Sequence, residues 1–132
     1  MSMNYVLADA ITRIRNAQMA GKSHTILLAS KLVRNSLKVL EKEGYIRGFQ
    51  EVEDDTGKIA LKVDLKYREN KPTITSIEIV SKPGCRVYSS IKEMPKVING
   101  LGISVVSTSK GVMSDDQARI EHISGDVLFK VY

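Results

Sequence analysis

The sequence predicts an α+β chain of two small domains: an N-terminal unit running helix, strand, helix, strand, strand, and a mainly antiparallel β C-terminal unit with short helices. Three observations carry this. Apolar residues recur at helical spacing near the start of the chain and again after Ser30, whereas Ile59, Leu61, Val63 and Leu65 alternate with Lys58, Lys62, Asp64 and Lys66 as a half-buried strand does. Beyond them the apolar runs are short and strand-like. Between the halves lies a polar stretch, Tyr67 to Thr73, which holds Arg68-Glu69-Asn70-Lys71 and the strand-breaking Pro72. The boundary is placed there, giving domains 1–68 and 69–132. A chain of 132 residues accommodates both, because stable domains need about 50 residues or more.

In the first helix, from about Asn4 to Met19, Leu7, Ile11, Ile14 and Ala17 or Gln18 form the buried side, and Gly21 ends it. Asp9, Arg13 and Asn16 stack along the other surface at spacings of four and three, with Thr12 beside them. Thr25 to Leu28 is expected to be a short buried strand. Ser30 caps a second helix running to Glu43, with Val33, Leu37 and Leu40 as its buried stripe and Gly44 at the left-handed cap position. Tyr45-Ile46 opens a strand that turns at Asp54-Asp55-Thr56-Gly57.

After the linker, Ile74, Ile77, Ile79 and Val80 suggest a strand, and Pro83-Gly84 suits the centre of a type II turn. On the next strand Cys85 and Val87 are expected inward, Arg86 and Tyr88 outward. Met94 to Asn99 reads as a short helical piece closed by Gly100. Ile103 to Val106 is a strand that delivers a polar loop, Ser107-Thr108-Ser109-Lys110-Gly111, and Ser114 with Gln117 is spaced as a capping box for a helix near Asp115 to Glu121. Asp126 to Tyr132 supplies the last strand, with Val127, Phe129 and Val131 on one face.

Apolar residues make up 42% of the chain, but aromatics are only 5% and Trp is absent, so the core must be built from Ile, Val and Leu. Lys and Arg number 20 against 15 acids, a net charge of +5. Distribution sharpens this. Arg13, Arg15, Lys22, Lys31, Arg34, Lys38, Lys42 and Arg47 face only Glu41 and Glu43 over the same span, and Lys82 to Lys110 holds a single acid, Glu93. Two such basic stretches suit a polyanionic partner. Cys85 is the only cysteine, so no internal disulfide is possible and a reducing compartment is expected. With no basic leader running into an apolar segment and no 18-residue apolar stretch, the chain is expected in the cytoplasm and out of membranes.

The most telling segment is the polar loop. Small hydroxyls, a lysine and a glycine presented between fixed elements match phosphate oxygens, sugar hydroxyls and base edges, the targets of an RNA binder. A serine hydrolase would need a base and an orienting acid, and neither His24 nor His122 lies in such a motif. Two histidines and one cysteine at unrelated spacings make no zinc site. Gly100-Leu101-Gly102 lacks the third glycine of a dinucleotide loop. No catalytic residue, metal or cofactor is therefore expected. A winged-helix DNA binder is the better rival, since a basic helix ending in Lys42-Glu43-Gly44-Tyr45-Ile46 runs into a hairpin; it leaves the second half unexplained.

Gly102-Ile103-Ser104-Val105-Val106-Ser107-Thr108-Ser109-Lys110-Gly111-Val112-Met113, followed by Ala118-Arg119, resembles the signature of the bacterial form of the eighth protein of the small ribosomal subunit. Other matches stand in order: Asp9, Thr12-Arg13-Ile14-Arg15-Asn16-Ala17, Ser30-Lys31, Glu43-Gly44-Tyr45-Ile46, and Ser81-Lys82-Pro83-Gly84 with Arg86 and Tyr88. The resemblance implies a structural constituent of the ribosome that binds the central domain of small-subunit ribosomal RNA during assembly. It also implies contacts with neighbouring ribosomal proteins, a monomer outside the ribosome, and translational repression of its own operon through a look-alike site in messenger RNA. The RNA-contacting positions it implies are Ser107, Thr108, Ser109, Lys110 and Gly111 with Arg86 and Tyr88, then Asp9, Thr12, Arg13, Asn16 and Lys31 in the first domain. Asp126 stands where the family usually has glutamate, keeping the acceptor on a shorter arm.

Overall fold

The structure, a computed structural model, describes residues 3–90 and 96–132. It forms two units, one ending at Ile74 and one spanning Thr75–Tyr132.

In the first unit, helix α1 (Met3–Met19) buries Leu7, Ala10, Ile11, Ile14, Ala17 and Gln18, and helix α2 (Lys31–Lys42) buries Val33, Ser36, Leu37, Val39 and Leu40. Both stripes follow the helical period, so both helices lay one side on the same sheet. Each helix ends in the same way. After α1 the Lys22 N–H donates to Ala17 O and Gly21 sits at φ +70, and after α2 the Tyr45 N–H donates to Leu40 O with Gly44 at φ +81. These are Schellman closures, which need a residue tolerant of the left-handed region. At the other end of α2 the Ser30 hydroxyl accepts the Val33 N–H at 3.1 Å. Ser30→Ala is expected to cost about 1 kcal/mol in chemical denaturation.

The sheet has strand β1 (His24–Leu28) antiparallel to β3 (Ile59–Leu65), which pairs on its other side with β2 (Ile46–Glu53). Leu27, Leu61, Val63 and Leu65 point into the core. The expected buried first strand is corrected: β1 lies at the sheet's edge, and Ile26 and Leu28 are exposed while only Leu27 is buried among its apolar residues.

The β2–β3 turn is held by Asp54, whose carboxylate accepts from the Thr56 hydroxyl at 2.7 Å and from the Thr56 and Lys58 N–H groups at 2.9 Å. The Thr56 hydroxyl, then the Lys58 amide, hold its pKa below the usual aspartate range, against a small opposing effect of burial. A depressed folded pKa stabilises the turn above the unfolded value and loses that contribution as pH falls through the folded one. Asp54 is therefore expected to titrate below the usual aspartate range, with turn amide shifts following the same midpoint by NMR.

The stretch read as a linker is folded. Strands β4 (Tyr67–Arg68) and β5 (Lys71–Pro72) make a small hairpin with Glu69 at φ 52 and Asn70 at φ 65, the pair of left-handed residues a tight hairpin turn requires. The Thr73 N–H donates to Lys66 O, and the Tyr67 hydroxyl donates to Lys22 O at 2.6 Å. These bonds carry the division to the far side of Ile74 rather than to Arg68.

In the second unit the central strand is β10 (Gly125–Val131). It pairs with β6 (Ile77–Ile79) and the short β7 (Tyr88–Ser89) on one edge and with β8 (Ile103–Thr108) on the other, and β8 pairs onward with β9 (Gly111–Ser114). All these pairings are antiparallel. A bulge between Val127 and Phe129 lets Val127, Leu128 and Phe129 all be buried. Helix α3 (Asp115–Ile120) follows β9 at once, capped by the Ser114 hydroxyl accepting the Gln117 N–H at 3.2 Å, and Ala118 packs with Val106, Met113 and Ile123. A 3-10 turn spans Val97–Gly100, while Met94, where the helical piece was expected to begin, lies outside the described residues.

Candidate nucleic-acid interface

The polar segment is not a free loop. Ser107 and Thr108 finish β8, Gly111 begins β9, and only Ser109 and Lys110 turn between the Thr108 and Gly111 pair. Neither Ser109 nor Lys110 has a positive φ; Gly111 takes φ +115 instead, in the place where a hairpin built on an ordinary turn needs glycine. The Thr108 hydroxyl donates to Gly111 O at 2.7 Å and accepts the Lys110 N–H at 3.1 Å. Thr108 thus shapes the tip from within. Ser109 and Lys110 stand exposed at the end of it, with no side-chain hydrogen bond or ion pair among the described residues.

Register decides what lies beside the tip. Asp126 is paired with Tyr88 on one side and with Ser107 on the other. Directly opposed residues of neighbouring strands put their side chains on the same face, so Tyr88, Asp126 and Ser107 form one row across three strands. Two strand spacings, roughly 10 Å, separate Tyr88 from Ser107. Tyr88 is 71% exposed, so both its ring and its hydroxyl are open. Asp126 is tied down: Arg86 Nη1 donates to its Oδ2 at 2.8 Å and the Ser81 hydroxyl lies 2.5 Å from its Oδ1. Arg86 and Asp126 therefore cancel locally, whereas Lys110 at the tip has no ion pair among the described residues.

The arm that brings Arg86 and Tyr88 begins in a turn closed by two backbone bonds between Lys82 and Cys85, with Gly84 at φ +78 as a type II turn demands. Cys85 was expected inward; it is exposed, because it belongs to this turn and not to a strand, and Val87, also expected inward, lies in the stretch before β7 and is 39% exposed. Sequence reasoning did not include Ser81 among the site residues. Its signal was present only as a serine before a proline–glycine turn.

In the first unit, Arg13 Nε is 2.9 Å from Asp9 Oδ2 and Arg13 Nη1 donates to Ile26 O at 3.1 Å. This helix face is thus braced to β1, and Arg13 is partly spent on that brace. Thr12 and Asn16 are exposed beside it, and Lys31 is exposed at the start of α2. Among the described residues no group of acidic, histidine or cysteine side chains could hold a metal ion, and no helix is long and apolar enough to cross a membrane.

A family model described as Ribosomal protein S8 matches residues 5–132. The chain is 52% identical over 132 residues to the protein named small ribosomal subunit protein uS8 of Rhodopseudomonas palustris, covering all of both chains. It is 50% identical, with the same full coverage, to the proteins of that name from Nitrobacter hamburgensis and from a Bradyrhizobium species. With a tight hydroxyl-bearing hairpin beside an open tyrosine, and with similarity along its whole length, the chain belongs to the ribosomal protein S8 family.

Proposed function

We propose that this chain, a structural and non-enzymatic constituent of the small ribosomal subunit in the cytoplasm, binds ribosomal RNA directly and organises the central domain of small-subunit RNA during assembly. The observation that carries the reading is the cross-strand row of Tyr88, Asp126 and Ser107 next to the exposed Ser109-Lys110 tip. Tyr88 offers a ring for stacking on an unpaired base, the serine hydroxyls offer hydrogen bonds to sugars and base edges, and Lys110 offers charge to phosphate. Gly111 keeps side-chain bulk away from the tip. Asp9, Thr12, Arg13, Asn16 and Lys31 supply a second contact from the first unit. Binding selects one RNA fold without making or breaking a bond.

A folded operon messenger that imitates the ribosomal site would use the same face, which is how the chain would repress its own translation. A duplex DNA reader would instead need side chains suited to a major groove. At fixed salt, structured small-subunit RNA is expected to displace the chain from duplex DNA, and the reverse preference would end the RNA reading.

Lys110→Ala is expected to flatten the dependence of log affinity on log salt by about one unit, because one phosphate contact is lost. Ser109→Ala and Tyr88→Ala should each cost roughly 1 to 3 kcal/mol of binding with the slope unchanged, since neither removes a charge. Filter binding across a salt series checks all three. Unchanged affinity in all three variants would remove the hairpin from the interface.

A further inference from the structure

Ser81 is 1% exposed, lies in no strand, and its hydroxyl meets three partners at once. It lies 2.5 Å from Asp126 Oδ1 and 2.6 Å from Val127 O, and it accepts the Val87 N–H at 3.0 Å. A hydroxyl has one proton and two lone pairs, so it donates to one of those two oxygens at a time while holding the Val87 amide. The Val87 carbonyl in turn accepts the Val127 N–H at 2.8 Å. The arm from the Lys82–Cys85 turn to Tyr88 is thus fastened to β10 at Val87 twice, directly through its carbonyl and, on its N–H side, through the one buried Ser81 oxygen.

Beyond these bonds the arm is held by the Arg86–Asp126 pair. Its only ladder is the two-residue strand β7, and Val87 is half-exposed, so packing does not fix its course. Yet it delivers Tyr88 and Arg86, and the same hydroxyl touches the carboxylate that holds Arg86. We propose that Ser81 is a positioning residue for RNA binding: without touching RNA, it sets Tyr88, Arg86 and Asp126 in the geometry the RNA meets. This rests on the RNA-binding reading above. The side of the face built from the β8–β9 hairpin, with Ser109 and Lys110, does not depend on it.

That division gives a test which a merely structural role would not pass. In Ser81→Ala the Val87 amide loses its acceptor and Asp126 loses a donor, so affinity for a small-subunit central-domain RNA fragment should fall about tenfold, the range of one lost buried hydrogen bond. The salt slope should stay as in the parent chain. The decisive readout is the double-mutant cycle. Tyr88→Ala, costing about tenfold in the parent chain, should cost no more than about twofold in the Ser81→Ala background, because a misplaced ring has little left to lose. Lys110→Ala should flatten the slope as fully there as in the parent. If Ser81→Ala does not fold, Ser81→Cys, of similar size with a weaker hydrogen-bonding group, should give the same pattern at smaller amplitude.

The proposal is overturned if Tyr88→Ala costs the same with and without the Ser81 hydroxyl, or if the Tyr88 and Lys110 effects vanish together, which would mark a general loss of folding. Failure of the RNA reading looks different: Tyr88→Ala and Lys110→Ala would then be silent in the parent chain, and the proposal would fall with it.

Discussion

Gly125→Ala is expected to disrupt the C-terminal unit more than any substitution at the exposed tip. A Cβ built there would lie 2.5 Å from Ser107 O, 2.7 Å from Val106 Cγ1 and 3.0 Å from Thr108 Cγ2. The nearest of these is backbone, which cannot swing aside as the end of a flexible side chain can. Relief requires β8 and β10 to part just where Gly125 pairs with Thr108 and Asp126 with Ser107. Overpacking of this kind costs about 3 kcal/mol, and here it also opens a ladder. Gly111→Ala makes the useful contrast. At φ +115 it is strained, but nothing lies within 4 Å of its Cβ, so about 1 to 2 kcal/mol is expected from backbone conformation alone. Urea denaturation should rank the two in that order, and RNA affinity at moderate salt should fall for both. A mild Gly125→Ala would mean that the strands separate easily, and the row of Tyr88, Asp126 and Ser107 would then be no rigid surface.

The helices were legible in the sequence because their causes are local. Ser30, the stripe of Val33, Leu37 and Leu40, and Gly44 all lie within a few turns of each other, and each does what its spacing implies. The α+β architecture followed from the same kind of pattern. The interface was half legible. Its hairpin residues were recognisable by type, but their polarity hid the fact that β8 continues through Ser107 and Thr108, since those positions are held by pairing with Asp126 and Gly125 far along the chain. No local pattern could show that β10 runs between Tyr88 and Ser107. Cys85 went wrong for a related reason. Alternation assumes a strand, and the Lys82–Cys85 turn had not yet released the chain into one. The linker misled in another way, because a polar run with Pro72 reads as open chain unless both Glu69 and Asn70 accept left-handed backbone, which Asn70 favours but Glu69 does not advertise.

Asp115→Ala is the second large effect, and it bears on how the hairpin is held from behind. Asp115 is 1% exposed, accepts the Ser104 N–H at 3.1 Å and pairs with Arg119 at 2.7 Å. It therefore joins the interior of β8 to the first turn of α3, directly after β9. Truncation strands the Ser104 N–H in a residue that is 2% exposed, a penalty of about 1 to 3 kcal/mol by itself. Removing one member of a buried pair costs about 3 to 5 kcal/mol. The lower end applies here, because the Arg119 side chain is 21% exposed and keeps Asp116 at 3.0 Å. About 3 kcal/mol in total is expected. Asp115→Asn separates the parts: its amide oxygen can still accept the Ser104 N–H, so if that bond dominates, the asparagine variant should retain more than half of the lost stability. Equal losses for the two variants would instead put the weight on the ion pair. Because the brace acts on the β8–β9 hairpin and not on the Ser81 arm, Asp115→Ala should blunt the effect of Ser109→Ala on RNA affinity and leave that of Tyr88→Ala intact, the mirror image of the Ser81 cycle.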